Sequence, residues 1–142
     1  MTYRYVIDAY AWIEYFKASE CGETAKEYIE SKYAATPTIV VSEVSRKLQK
    51  EIELGNETAE GRLTRLEFIN ANSQVVALDF DLAATAGKMD FEMKKKAKGW
   101  GLADSIVLCT ARSMKCKVVT GDEHFRDLDG VIIIKNKHQT AV

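Results

Sequence analysis

Short apolar runs, each closed by a polar or acidic residue and most followed by a helical pattern, recur along this chain. That alternation limits its fold more than any other feature. Residues 5–7 are apolar and stop at Asp8, after which Ala9, Trp12, Ile13 and Phe16 fall on one helical face. Residues 17–22 are polar and read as a loop, and residues 23–33 carry Ala25, Tyr28, Ile29 and Tyr33 at helical spacing. An extended stretch over 34–37 ends at the only proline. Val40, Val44, Leu48 and Ile52 then define a helix over 38–54, although Ile39, Val40 and Val41 also suit a strand. Gly55-Asn56 is a helix stop, and Leu63, Leu66 and Ile69 mark a second helix over 57–72, so the pair reads as a helical hairpin. Residues 74–78 read as a strand, and Asp79 as the cap of a helix over 80–95 with Leu82, Ala83, Ala86, Met89 and Met93 inward. The helix expected over 102–114 is nearly all apolar in its middle, which predicts deep burial. Strands at 117–120 and 131–134 complete the pattern, and the tail is polar. Strands separated by helices form parallel sheets with helices on both faces. The expectation is therefore an α/β fold with a central, mostly parallel sheet, in one domain spanning residues 1–142.

A chain of 142 residues with 46% apolar content can fill one core, and its formal net charge of −1 excludes a global basic field. A nucleic acid would need a local patch. Cys21, Cys109 and Cys116 form no CxxC pair, and their odd number argues against a disulfide framework or a zinc ribbon. On one helix Cys109 and Cys116 would stand roughly 10 Å apart, too far to bridge. All three read as reduced thiols of a cytoplasmic protein. No run approaches the ~20 apolar residues of a membrane span, and the N-terminus leads directly into the first strand without the look of a signal peptide.

Acids occupy the places where such a fold puts its ligands. Asp8 ends the first strand, Asp122 lies just past the strand at 117–120, Asp104 opens the apolar helix, and Glu43 lies in the first turns of the helix after Pro37. In open α/β sheets, ligands bind at the carboxyl ends of the strands. Each acid also has an ordinary reading. Asp8 and Asp104 can cap their helices, Glu43 can pair with Lys47 one turn on, and Asp122 can be a turn residue after Gly121. Converged, however, they repel: two unit charges 4 Å apart cost about 4 kcal/mol at an effective dielectric of 20. Uncompensated, they would hold protons. A hard divalent cation removes that cost, and all-oxygen ligation selects Mg²⁺ or Mn²⁺ over zinc. Such a cation supports phosphodiester hydrolysis without a Ser, Cys or His nucleophile.

The combination of Val6-Ile-Asp8 with Trp12-Ile-Glu-Tyr-Phe16, Ser42-Glu43, Leu102-Ala-Asp104-Ser-Ile, and Val119-Thr-Gly-Asp122-Glu-His-Phe125 resembles the PIN domains. More narrowly it resembles the VapC-type toxins of prokaryotic toxin–antitoxin pairs, over nearly the whole chain. The resemblance implies a Rossmann-like three-layer α/β/α fold and an Mg²⁺- or Mn²⁺-dependent ribonuclease. It also implies a VapB-type antitoxin partner, which would plug the groove and carry a basic residue to the acids, and a homodimer. The family's acids map onto Asp8, Glu43, Asp104 and Asp122. Thr120 matches a hydroxyl residue two before the last acid, placed to orient a water or a carboxylate. One position departs: where many relatives carry Ser or Asn two residues after the first Asp, this chain has Tyr10.

Lys94, Lys95, Lys96 and Lys98 are candidates for RNA phosphates, and Trp100 for stacking a base. The plainer reading is a solvated helix end with lysines at its negative pole. His124 can be a base or a solvated turn residue, and His138 lies in the tail. The hairpin over 38–72 is the expected dimer or antitoxin face, or else ordinary core. Two rival readings exist. One is a receiver-like signalling module with Asp79 as phosphoacceptor, which leaves Glu43 and Asp104 without a role. The other is a catalytically silent RNA-binding PIN domain.

Overall fold

The computed structural model describes residues 2–135, so the polar end of the chain with His138 lies outside it. Five strands, β1 (Tyr5–Ile7), β2 (Ala34–Pro37), β3 (Gln74–Val76), β4 (Lys117–Thr120) and β5 (Val131–Ile133), form one sheet. Its order is β3-β2-β1-β4-β5 and every pairing is parallel. Val6 lies opposite Ala35 on one side and Val118 on the other, which fixes the register of the centre. The connections are α1 (Ala9–Lys17) and α2 (Glu20–Ile29), α3 (Thr38–Glu53) and α4 (Ala59–Asn72), then α5 (Phe80–Lys94) and α6 (Leu102–Ser113). A single 3₁₀ turn, Glu123–Phe125, stands between β4 and β5. This is the expected three-layer α/β/α arrangement, with Val6, Ile7, Val118 and Val119 fully buried in the middle of the sheet.

Several boundaries differ from the sequence reading, each for a local reason. The polar stretch read as a loop already contains the start of α2, because the Ser19 hydroxyl accepts from Gly22 N at 3.0 Å and caps the helix there. The same helix ends at Ile29, short of Tyr33: Lys32 turns with φ 72, and the Tyr33 carbonyl accepts from the backbone N–H groups of Arg4 and Tyr5 beside β1. Ile39–Val41 are helical, with Val40 fully buried. Thr58, accepting from Gly61 N at 2.9 Å, starts α4 two residues later than the periodicity implied, while Glu57 stays outside to bind Arg65. Ala83 is exposed rather than inward.

An aromatic cluster around Trp12 anchors the core. Trp12 is fully buried, packs against Phe16 and Phe68, and donates its indole N–H to Thr36 at 3.2 Å. Cys21, Cys109 and Cys116 are buried and form no disulfide. Among the described residues no helix is long and apolar enough to cross a membrane.

Candidate active site

The chain runs β1 to β3 outward in one direction, then returns to place β4 and β5 on the other side of β1. The strand order therefore reverses between β1 and β4, and their carboxyl ends flank the crevice where α/β folds bind ligands. Asp8 follows β1 and Asp122 follows β4 by two residues. Glu43, one turn into α3, and Asp104, in the first turn of α6, reach the same place from the helices. All four acids line one cleft of about 330 Å³.

Asp8 is only 6% exposed, although it carries a carboxylate. It makes no side-chain cap to α1, so the capping reading does not account for it. Instead the Thr120 hydroxyl donates to Asp8 Oδ2 at 2.7 Å and accepts from Asp122 N at 3.0 Å. One buried hydroxyl thus fixes both the first acid and the backbone of the last. Burial pushes the Asp8 carboxyl up to about 6, against the opposing pull of the Thr120 hydrogen bond. Burial, then the neighbouring charges of Asp8 and Asp104, pushes Glu43 up to about 7. Lys47 does not answer that charge, because its ammonium pairs with Glu51 at 3.4 Å. The ordinary reading of Glu43 as half of a surface ion pair therefore falls.

Asp104 does serve its helix, accepting from Gly101 N at 2.9 Å through Oδ2. Burial still raises its pKa, with the Asp122 charge adding to the effect. Asp122 Oδ1 accepts from His124 N at 2.9 Å and lies 3.2 Å from His124 Nδ1. Ligand atoms of Asp104, Asp122 and His124 come within 4.8 Å of one another. His124, one of two histidines in the sequence and readable as a solvated turn residue, is therefore a neighbour of the acids. Burial and mutual repulsion favour the protonated forms of Asp8, Glu43 and Asp104, and carboxylate oxygens gathered at such a cost are a donor set that suits a hard divalent cation.

Trp100 holds this corner together from beneath. It is 3% exposed, donates to Ser105 Oγ at 2.6 Å and packs on Phe125 at 5.1 Å. The ring that could have stacked a base instead ties the segment before α6 to the turn after Asp122. Lys94, Lys95, Lys96 and Lys98 are exposed and do not line the cleft. Lys94 pairs with Asp90 and Lys95 with Glu92 on their own helix. The cations that do line it are Lys17, Arg46 and Lys47. The sequence signal for two of them was their spacing, one helical turn after Glu43. Tyr10 lies at the cleft edge with its ring over Gly121, where an added Cβ would meet the ring at 2.3 Å. Asp79 is remote from the cleft: it follows the outermost strand, β3, and caps α5 through Leu82 N at 2.8 Å.

The PIN domain family matches residues 5–131, and the chain belongs to that family. Solved structures share its fold. A toxin–antitoxin complex from Klebsiella pneumoniae is 20% identical, with 92% of this chain and 98% of that one covered and a TM-score of 0.68. A DNA-bound VapBC from Salmonella typhimurium is 19% identical, covering 93% and 97%, with a TM-score of 0.70. VapC20 of Mycobacterium tuberculosis, described as a toxin that cleaves the sarcin–ricin loop, is 14% identical, covering 92% and 99%, with a TM-score of 0.72. No curated protein matches the sequence at a significant level.

Proposed function

We propose that this chain is a divalent-metal-dependent endoribonuclease and the toxin of a VapBC-type pair. The observation that carries the reading is the convergence of Asp8, Glu43, Asp104 and Asp122 in one cleft of a PIN fold. These four carboxylates would hold Mg²⁺ or Mn²⁺. The cation, when bound, supplies charge neutralisation and Lewis acidity toward the phosphodiester. The protein's own share is positional. Thr120 holds the Asp8 carboxylate in one orientation, and the Gly101 amide holds that of Asp104. Arg46, Lys47 and Lys17 offer cations on the cleft rim for the flanking phosphates. Lys96 and Lys98, exposed on the loop leading to α6, are further cations offered to RNA phosphates outside the cleft.

The relatives described as toxin–antitoxin complexes support a VapB-type antitoxin as partner. A groove of about 410 Å³ suits such an occupant. Ile13, Phe16 and Leu48 give it an apolar floor, and it shares Ile13, Lys17 and Lys47 with the acid cleft. A segment lying there could deliver a basic side chain to the acids. The reading also includes a cytoplasmic homodimer.

The test is cleavage of total RNA and of a folded tRNA by the purified chain with Mg²⁺ or Mn²⁺. The controls are EDTA, Asp8→Asn and Asp79→Asn. Metal-dependent cutting that Asp8→Asn abolishes and Asp79→Asn leaves intact supports the reading. If calorimetry finds no Mn²⁺ binding to the wild type, the reading falls.

A further inference from the structure

Tyr10 is a ring that the core does not use. The other large rings of this region pack on one another, Trp12 on Phe16 and Phe68, and Trp100 on Phe125. Tyr10 instead stands 43% exposed on the outer side of α1, two residues beyond Asp8. It is the aromatic residue that lines the acid cleft. It also lines a second cavity of about 430 Å³, and Asp122 is common to both. The ring therefore forms part of the wall between the acids and a neighbouring space.

The chain makes room for that ring. A Cβ at Gly121 would fall 2.3 Å from Tyr10 Cε1 and 2.6 Å from Cδ1. Gly121 does not have a positive φ, so its backbone conformation does not call for glycine. What calls for it is the close approach of the ring, which rests against the segment joining Thr120 to Asp122. One side of Tyr10 is thus seated on the strand end that carries the last acid, and the rest stays open.

The second cavity has its own cations. Arg126 and Lys135 line it, beside Ile133 and Ile134. Arg126 is tied by Nε and one Nη to the Glu123 carboxylate, which fixes the fork and leaves its remaining N–H donors free to turn elsewhere. Lys135 makes no ion pair among the described residues. A seated aromatic ring, an apolar wall and two cations fit one kind of ligand, a planar base attached to a phosphate.

We infer that this cavity is a subsite for an unpaired nucleobase of the RNA, stacked on the Tyr10 ring next to the phosphate held at the acids, with Arg126 and Lys135 receiving a neighbouring phosphate. The inference rests on the nuclease reading for its substrate. The strand then runs from the rim cations Lys17, Arg46 and Lys47, across the acids, to Tyr10. A base inside a duplex cannot reach the ring, so the subsite selects single-stranded or looped RNA. Stacking tolerates any base but favours the larger face of a purine.

Nuclear magnetic resonance titrations in Mg²⁺ with adenosine 5′-monophosphate, uridine 5′-monophosphate and ribose 5-phosphate test it. The three carry the same phosphate, so differences among them report the base. The wild type is expected to bind them in that order, tightest first. Tyr10→Ala should weaken adenosine 5′-monophosphate about 5–100-fold, toward ribose 5-phosphate, and Tyr10→Phe should retain it. Single-stranded hexaadenylate, offered to Asp8→Asn protein so that it stays intact, should displace the mononucleotide. Equal affinity for adenosine 5′-monophosphate and ribose 5-phosphate overturns the inference. So does a Tyr10→Ala protein that binds like the wild type. A mononucleotide that hexaadenylate does not displace also overturns it and makes the cavity a site for a free nucleotide. None of the three small probes contains a phosphodiester, so these failures leave the nuclease reading standing. Failure of that reading shows separately, as absent Mn²⁺ binding and absent cutting.

Discussion

A carboxylate withdrawn from water costs free energy unless something answers its charge, and buried Asp8 and half-buried Glu43 put that cost at the centre of this protein. Both bind a proton more tightly in the folded chain than in the unfolded one, where their values are 3.8 and 4.5. Their contribution to stability is thus fully present below about pH 4 and is lost as pH rises through about 6 for Asp8 and about 7 for Glu43. The melting temperature of the metal-free protein should therefore fall between about pH 5 and pH 8, and saturating Mn²⁺ should flatten the slope by holding the carboxylates ionised. Asp8→Asn should raise the metal-free melting temperature at the alkaline end while abolishing cleavage. Scanning calorimetry across pH checks both. Thr120 is the matching test of position: Thr120→Val deprives Asp8 of its donor and the Asp122 N–H of its acceptor. A stability loss of about 1–3 kcal/mol and a Mn²⁺ affinity about 10–100-fold weaker are expected by urea unfolding and calorimetry, with Thr120→Ser largely restoring both.

Among the elements, the α1–α2 corner shows how local chemistry overrides periodicity. The polar stretch before residue 23 looked like a loop because its apolar residues are sparse, yet Ser19 caps a helix there. Gly22 stands in the first turn of that helix with its Cα against α1. A Cβ would come within 2.1 Å of the Glu14 carbonyl oxygen and 2.9 Å of Tyr15 Cα, both backbone atoms that cannot swing away. Gly22→Ala should destabilise the fold by at least about 1–3 kcal/mol, read as a lower urea midpoint with an unchanged slope. The orientation of α5 was equally hard to read. Phe80 and Phe91 are exposed on it while Ala86 and Met93 are buried, so a helical pattern alone does not say which face the body covers, and the sequence reading places Ala83 inward when it is exposed.

At the level of the whole molecule, the position of β3 separates the rival functions. A receiver-like reading needs Asp79 beside Asp8, but β3 is the outermost strand, with β2 between it and β1. The sequence by itself determined the order of strands and helices, the α/β class and the acids at strand and helix ends. Those follow from apolar periodicity and from the polar residues that stop each run, which are local properties of the chain. It did not determine which acids meet, because strand order is set by long-range pairing that no local pattern encodes. Only the tertiary structure decided that β4 lies beside β1, so that Thr120 reaches Asp8 across 112 positions of sequence. It likewise decided that Trp100 is buried under the site, that His124 joins Asp104 and Asp122, and that Arg46 rather than the lysine run lines the cleft. Each of these depends on which surfaces pack together, and packing is a property of the folded chain.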